Sequence, residues 1–402
     1  MNATASRSAQ RRTAISLTVE DCMADGACAE TVIARLALHL PAGIEAAELA
    51  EIVLGMDLPD SRDPERLQQI AGLLRLKPGV FATLQATSAA VRHERDEGET
   101  DAAVVMRLAS SFDAAAAISG AASVQLGSLG DRERLSATTD EIVAWLETQD
   151  FTGIGRSILD IGCGIGRFER ALSKSFKRMV GVDISSRMIS IARERCATLG
   201  NVELRQTSGL DLSDFGDADF DCVLAVDSFP YLMLAGVADR HFDEIARVLK
   251  RPGWLALLNY SYRGSLLLDR MDIHRLAERH ELQVIVDGEK PFRSWDGDAF
   301  LLARIDGTLS CTASSDVEQA TPVANFKEGY MASGSKKQIG SGSQGKGSGT
   351  GAMTDLTKDK IEENAVLSNR DKKQHSEERG LDGNRIRSDQ YQDHTANRLP
   401  KD

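Results

Sequence analysis

From residue 15 to about 130 the apolar residues recur at helical spacing, as in Thr31-Val32-Ile33-Ala34-Arg35-Leu36-Ala37-Leu38, with little of the strict alternation that marks strands. Breaks at Pro41, the 57–64 loop, Pro78-Gly79 and the charged 92–101 stretch divide this region into about five helices. A capping-box pattern from Thr138 to Glu141, followed by Ile142, Val143, Trp145 and Leu146, predicts that a further helix opens there. From Ser157 the pattern changes. Short apolar runs at 157–161, 179–182, 202–205, 222–226 and 254–258 alternate with helical stretches at 168–175, 186–199 and 238–249. Such alternation specifies a parallel sheet covered on both faces. After a helix at 270–280 come β-like runs at 282–286 and 300–305, which suit a closing antiparallel hairpin.

The organisation expected is therefore a disordered start (1–14), an α-helical domain (15–135), an α/β domain (136–306), a Gly/Ser-rich linker (307–352) and a charged tail (353–402). The linker segment GSGSQGKGSGTG and the tail, poor in hydrophobes, lack the apolar content to order themselves. The tail is read as disordered, with a protein partner on which it folds as the alternative.

Composition narrows the function. At 42% hydrophobic and 27% charged residues over 402 positions, the chain can build a sizeable core. No apolar run reaches the ~18–20 residues of a membrane helix, and Glu20 and Asp21 interrupt the start before a secretory apolar region develops. The six cysteines contain no CxxC pair, so free thiols in a reducing cytoplasm are expected. Net charge is −12 and no segment has a Lys/Arg excess. Neither nucleic acid nor membrane is the expected partner. The acids Glu94, Asp96, Glu97, Glu99 and Asp101 read as a solvated charge run, and no metal is assigned. His39 and His93 stand alone.

Chemistry concentrates at Leu159-Asp160-Ile161-Gly162-Cys163-Gly164-Ile165-Gly166, where a buried strand ends in a glycine-rich turn that opens a helix. Glycines at this point let the backbone turn tightly and approach a ligand at the strand's carboxyl end. The spacing is GxGxG, distinct from the dinucleotide GxGxxG. The next strand, Met179-Val180-Gly181-Val182-Asp183, ends in an acid 17 residues past Gly166 that can accept both hydroxyl hydrogens of a ribose. After the following strand come Thr207-Ser208-Gly209-Leu210, where a small polar residue and a backbone amide can reach an adenine edge while Ile184 and Leu210 cover its faces. The strand Cys222–Val226 ends at Asp227 beside the first glycine turn.

At these residues the chain resembles the class I S-adenosylmethionine-dependent methyltransferases, with LDIGCGIG as their glycine motif, GVDIS as the ribose strand and FDCVLAVDSFPYL as the fourth strand. The resemblance implies a Rossmann-like, doubly wound seven-stranded sheet of order 3-2-1-4-5-7-6 with strand 7 antiparallel, preceded by the helical domain. It implies S-adenosylmethionine as cofactor. Asp160, Gly162, Gly164 and Gly166 would hold its methionine end, Asp183 its ribose, and Ser208 and Gly209 its adenine between Ile184 and Leu210, with Cys163 and Val226 also cofactor-binding. Ser208 departs from the Asp that many members carry there.

Acceptor chemistry falls at the ends of the fourth and fifth strands. Asp227, Tyr231 and His241 are the catalytic candidates, and Phe229, Tyr231, Tyr260, Tyr262 and Arg263 the substrate-binding candidates. A polar-aromatic pocket of this kind suits a small organic acceptor methylated on O or N. Ser228-Phe229-Pro230-Tyr231 lacks the first proline of the turn that amide and adenine methylases carry. A protein or nucleic-acid N-methyltransferase and a non-catalytic cofactor-binding protein are the alternatives.

Overall fold

The computed structural model describes residues 2–41, 43–56 and 64–304. The chain divides into two units, Met1–Ala313 and Ser314–Asp402. The expectations for the linker and tail fall outside the described residues.

Helix α1 (Asn2–Ala24) runs through residues expected to be disordered. The reason is local: the chain meets neither Gly nor Pro before Gly26, and its Ala, Arg and Gln are strong helix formers. Helices α2 (Ala29–His39), α3 (Ala46–Leu54), α4 (Pro64–Leu76) and α5 (Pro78–Ala90) follow, then α6 (Asp101–Ile118) and the short α7 (Gly120–Val124). The helical region thus holds more pieces than the expected five, because Gly26 and Ser119 also break it. Pro64 and Pro78 open helices, where a missing N–H costs nothing. Val32, Leu36, Leu49, Val53, Ile70 and Phe81 form the core of this bundle.

Helix α8 spans Arg132–Thr148, so the expected boundary at 136 falls inside a helix. Its cap is Asp131, whose carboxylate accepts from Glu133 N (2.9 Å) and Arg134 N (3.2 Å). Thr138 is buried in the helix interior. Glu141, read as the capping-box acid, instead accepts from Arg293 N (2.7 Å) and Ser294 N (3.0 Å) and fixes a distant loop.

The sheet comprises β1 (Gly153–Ile161), β2 (Phe176–Asp183), β3 (Val202–Gln206), β4 (Phe220–Val226), β5 (Leu249–Leu258), β6 (Gln283–Glu289) and β7 (Ala299–Arg304). Their spatial order is β3-β2-β1-β4-β5-β7-β6. Pairings among β1 to β5 are parallel, and β7 runs antiparallel to both β5 and β6, as the resemblance implies. Helices α9 (Arg167–Leu172), α10 (Ser186–Cys196), α11 (Phe229–Ala235), α12 (Ala238–Val248) and α13 (Leu266–Arg279) make the connections. One face packs Leu159, Val223, Leu255 and Phe300 with Phe242 and Ile245. The other packs Ile158, Cys222, Leu224 and Leu301 with Ile142 and Phe168. Central strands buried on both faces read as continuous apolar runs, which is why their positions were legible. Among the described residues no helix is long and apolar enough to cross a membrane.

Candidate active site

The parallel strands deliver their carboxyl ends to one edge, where an open cleft of about 920 Å³ lies. Gly162 (φ 77°), Gly164 (φ 55°) and Gly166 (φ 73°) all occupy the left-handed region. A Cβ on Gly164 would sit 2.7 Å from Val124 Cγ1, and one on Gly162 would collide with Ser228. The turn is pinned to β2, since Gly162 N and Cys163 N donate to Val182 O at 2.8 and 3.0 Å. Gly162, Cys163 and Gly164 line the cleft, whereas Gly166 packs against Ala192 and Cys196 of α10.

Asp183 ends β2 at the cleft wall. One carboxylate oxygen accepts from Gly164 N (2.9 Å) and the other from Ser185 N (2.8 Å). Burial still pushes its pKa up to about 6, against those amides. Asp160 lies beneath the turn, buried with Glu169, whose oxygens have no partner apart from that neighbour. Desolvation raises Asp160 to about 7 and Glu169 well above its ordinary range. Burial likewise raises the Cys163 thiol.

Thr207, Gly209 and Leu212 line the far end, together with Ile184. Of the adenine candidates, Gly209 is brought to the cleft. Ser208 turns its hydroxyl to Leu210 N (3.3 Å), and Leu210 packs with the α6 cluster. Thr207 is placed instead because its N–H donates to Asp183 O (3.0 Å), continuing the β2–β3 ladder. His241 also lines this cleft and is buried. Its Nδ1 pairs with Val237 O (3.0 Å), and burial lowers its pKa.

At the other end, Val226 and Asp227 complete the floor. Asp227 (φ 60°) and Asn259 (φ 64°) are non-glycine residues in the left-handed region at the ends of adjacent strands, a strain that tends to be kept at functional sites. Asp227 Oδ1 accepts from Asn259 Nδ2 (2.8 Å) and the Tyr262 hydroxyl (2.6 Å). Burial raises the Asp227 pKa and outweighs those donors. Tyr231 lines the cleft, with Phe112 edge-on at 4.8 Å and Tyr262 edge-on at 5.7 Å.

Three substrate candidates are not brought there. Phe229 and Tyr260 stack on one another at 5.5 Å in the hydrophobic core. Arg263 pairs instead with Asp269 (2.6 Å) and Asp272 (2.8 Å).

The sequence reading missed Arg167 and Phe112. Arg167, the residue after the last glycine, is buried in the cleft wall and donates to Gln125 Oε1 (2.9 Å). Burial lowers its pKa to about 10 although Asp227, Asp160 and Glu169 favour its charge. A position one past a glycine motif offered a signal; burial could not be foreseen. Among the described residues no cluster of three or more potential ligands could hold a metal.

Residues 158–253 match the family model described as a methyltransferase domain. A demethylmenaquinone methyltransferase of Tropheryma whipplei is 36% identical over 110 residues, covering 27% of this chain and 43% of that protein. A ubiquinone biosynthesis O-methyltransferase of Methylococcus capsulatus is 33% identical over 118 residues, covering 28% and 48%. The chain thus spans under half the length of these relatives. A solved S-adenosylmethionine-dependent methyltransferase from Aquifex aeolicus is 19% identical, with a TM-score of 0.33, over 43% of this chain and 92% of that one. Residues 158–253 thus match a methyltransferase domain, on a sheet whose strand order is the one the resemblance implies. The residues present fit the cofactor that the resemblance implies, S-adenosylmethionine: a cradle that a Cβ would fill, a buried acid at the end of β2 and a buried guanidinium in the same cleft.

Proposed function

We propose that the protein transfers the methyl group of S-adenosylmethionine to an oxygen or nitrogen atom of a small-molecule acceptor. Bound in the cleft, the cofactor supplies an electrophilic methyl group on a sulfonium. The chain's own part is to hold and orient. Gly162 and Gly164 admit the methionine end against the backbone, Arg167 faces its carboxylate, and Asp183 uses the second lone pair of each oxygen for the ribose hydroxyls. Gly209, Thr207 and Ile184 bound the adenine. Asp227, Tyr231 and Tyr262 form the wall in front of the methyl group, where positioning an acceptor supplies much of the acceleration.

The observation that carries this reading is the placement of Asp183 and Asp227 in one cleft around the glycine turn. Asp183→Ala should weaken S-adenosylmethionine binding by ~1.5–3 kcal/mol, as loss of hydrogen bonds to a charged acceptor does. Titration calorimetry measures it, and binding unchanged within about twofold would refute the ribose assignment. Labelled methyl transfer to bulk protein, RNA and DNA, set against small-molecule extracts, separates the acceptor classes.

A further inference from the structure

The charged stretch before α6 is a clasp. Arg107 of α6 donates to the carbonyls of Arg92 (3.2 Å) and Glu94 (2.9 Å), straddling His93, and pairs with Glu99 at 2.9 and 3.0 Å. Arg92 pairs with Asp96. Arg95 reaches across to Ala235 O (3.1 Å) at the end of α11 and also binds Asp101 (2.7 Å). These ties hold His93 beside Tyr231 of the cleft wall, its ring 5.7 Å from that of Tyr231 and 6.0 Å from that of Tyr262.

Resting on the reading above, we propose that His93, supplied by the helical region, takes the proton from an aromatic or enolic hydroxyl as that oxygen is methylated. The acceptor's lone pair forms the new bond to the methyl carbon, the electron pair of the broken carbon–sulfur bond stays with sulfur, and the hydroxyl proton passes to the imidazole. The imidazolium is then faced by Asp227. Other groups nearby are committed. Asp227 is already an acceptor for Tyr262 and Asn259, the Tyr231 hydroxyl is held protonated by burial, and Arg92 and Arg107 are ion-paired. Desolvation beside the Tyr231 and Tyr262 rings lowers the His93 pKa against the pull of Asp227, so the neutral imidazole is able to accept. The faces of Tyr231, Tyr262 and Phe112 suit a flat ring, and a phenolic hydroxyl becomes acidic enough to surrender its proton to imidazole as its oxygen gains the methyl group.

The test uses the full chain and nitrocatechol as probe, with His93→Gln as variant. In wild type with S-adenosylhomocysteine, the bound probe should ionise at a pH below its own pKa, read from its visible absorbance. His93→Gln should bind the probe yet leave it protonated. With S-adenosylmethionine the variant should lose ~10²-fold in kcat while cofactor affinity and melting temperature stay put. The rise of kcat/KM with pH, inflecting below the ordinary histidine range, should vanish. Ionisation and turnover that persist in His93→Gln overturn the inference, as does a wild type that binds S-adenosylmethionine but neither ionises nor methylates nitrocatechol. A wild type that fails to bind S-adenosylmethionine defeats the underlying reading, and the inference with it.

Discussion

Asp113 in α6 supplies a contact whose removal has a calculable effect. Its carboxylate accepts from Ser185 Oγ (2.5 Å), Ser186 Oγ (3.0 Å) and Arg187 N (2.9 Å), so the helical region caps α10 directly after Asp183. In Asp113→Ala the exposed Ser186 hydroxyl turns to water at little cost, and water entering the space the carboxylate vacates meets the buried Ser185 hydroxyl, whose Oγ keeps its own bond from Met188 N (3.1 Å). Lost are one backbone cap, about 1 kcal/mol, and a negative charge at a helix N-terminus, about 0.3–1 kcal/mol. The carboxylate is partly exposed, which keeps the sum near 1.5–2 kcal/mol. With a urea slope of about 2–3 kcal/mol/M, the unfolding midpoint should fall by roughly 0.5–1 M, and Asp113→Asn should recover part of it. Cofactor affinity should drop as well, because Ser185 N also donates to Asp183. A midpoint and an affinity both unchanged in Asp113→Ala would refute the view that this side chain ties the two regions together.

Two further outcomes follow from the buried acids. Glu169 has a folded pKa above its ordinary value, so the fold binds more protons than the unfolded chain and wild-type stability should fall as pH rises from about 4.5 through the folded value; Glu169→Gln should therefore be the more stable by ~1–2 kcal/mol at pH ~8, with a smaller gain near pH ~5 in denaturant melts. Asp183 titrates near about 6 in the free protein, and ribose hydroxyls bind its ionised form, so S-adenosylmethionine affinity should fall up to tenfold per pH unit below that point and level off above it; calorimetry across that range checks it, and Asp183→Asn should flatten the profile.

What the sequence made legible follows chain-local physics. Apolar runs buried on both faces announced β1, β2, β4 and β5, and Gly162, Gly164 and Asp183 announced the cleft at their carboxyl ends. The errors came where one residue of register decides the outcome. Tyr260 and Tyr262 flank the same strand end, yet Tyr260 enters the core while Tyr262 reaches Asp227. Thr207 and Ser208 differ the same way, as the β2–β3 ladder pins the first. Contacts such as His93 to Tyr231, 138 positions along the chain, leave no local trace: a lone histidine in a charged stretch has the composition of a solvated loop. Helix α11 was likewise hidden, because Pro230 reads as a turn until it is seen in the first turn of a helix.

Helix α6 touches four places at once. Val105 would lie 3.0 Å from a Cβ on Gly209, Arg107 brackets His93, Phe112 meets Tyr231 and Asp113 caps α10. These positions span about 12 Å of one continuous rod, which cannot shift at one point and stay still at the others. Whatever free energy S-adenosylmethionine spends in settling this rod is therefore shared with the acceptor, and by reciprocity each ligand must tighten the other's binding by the same factor.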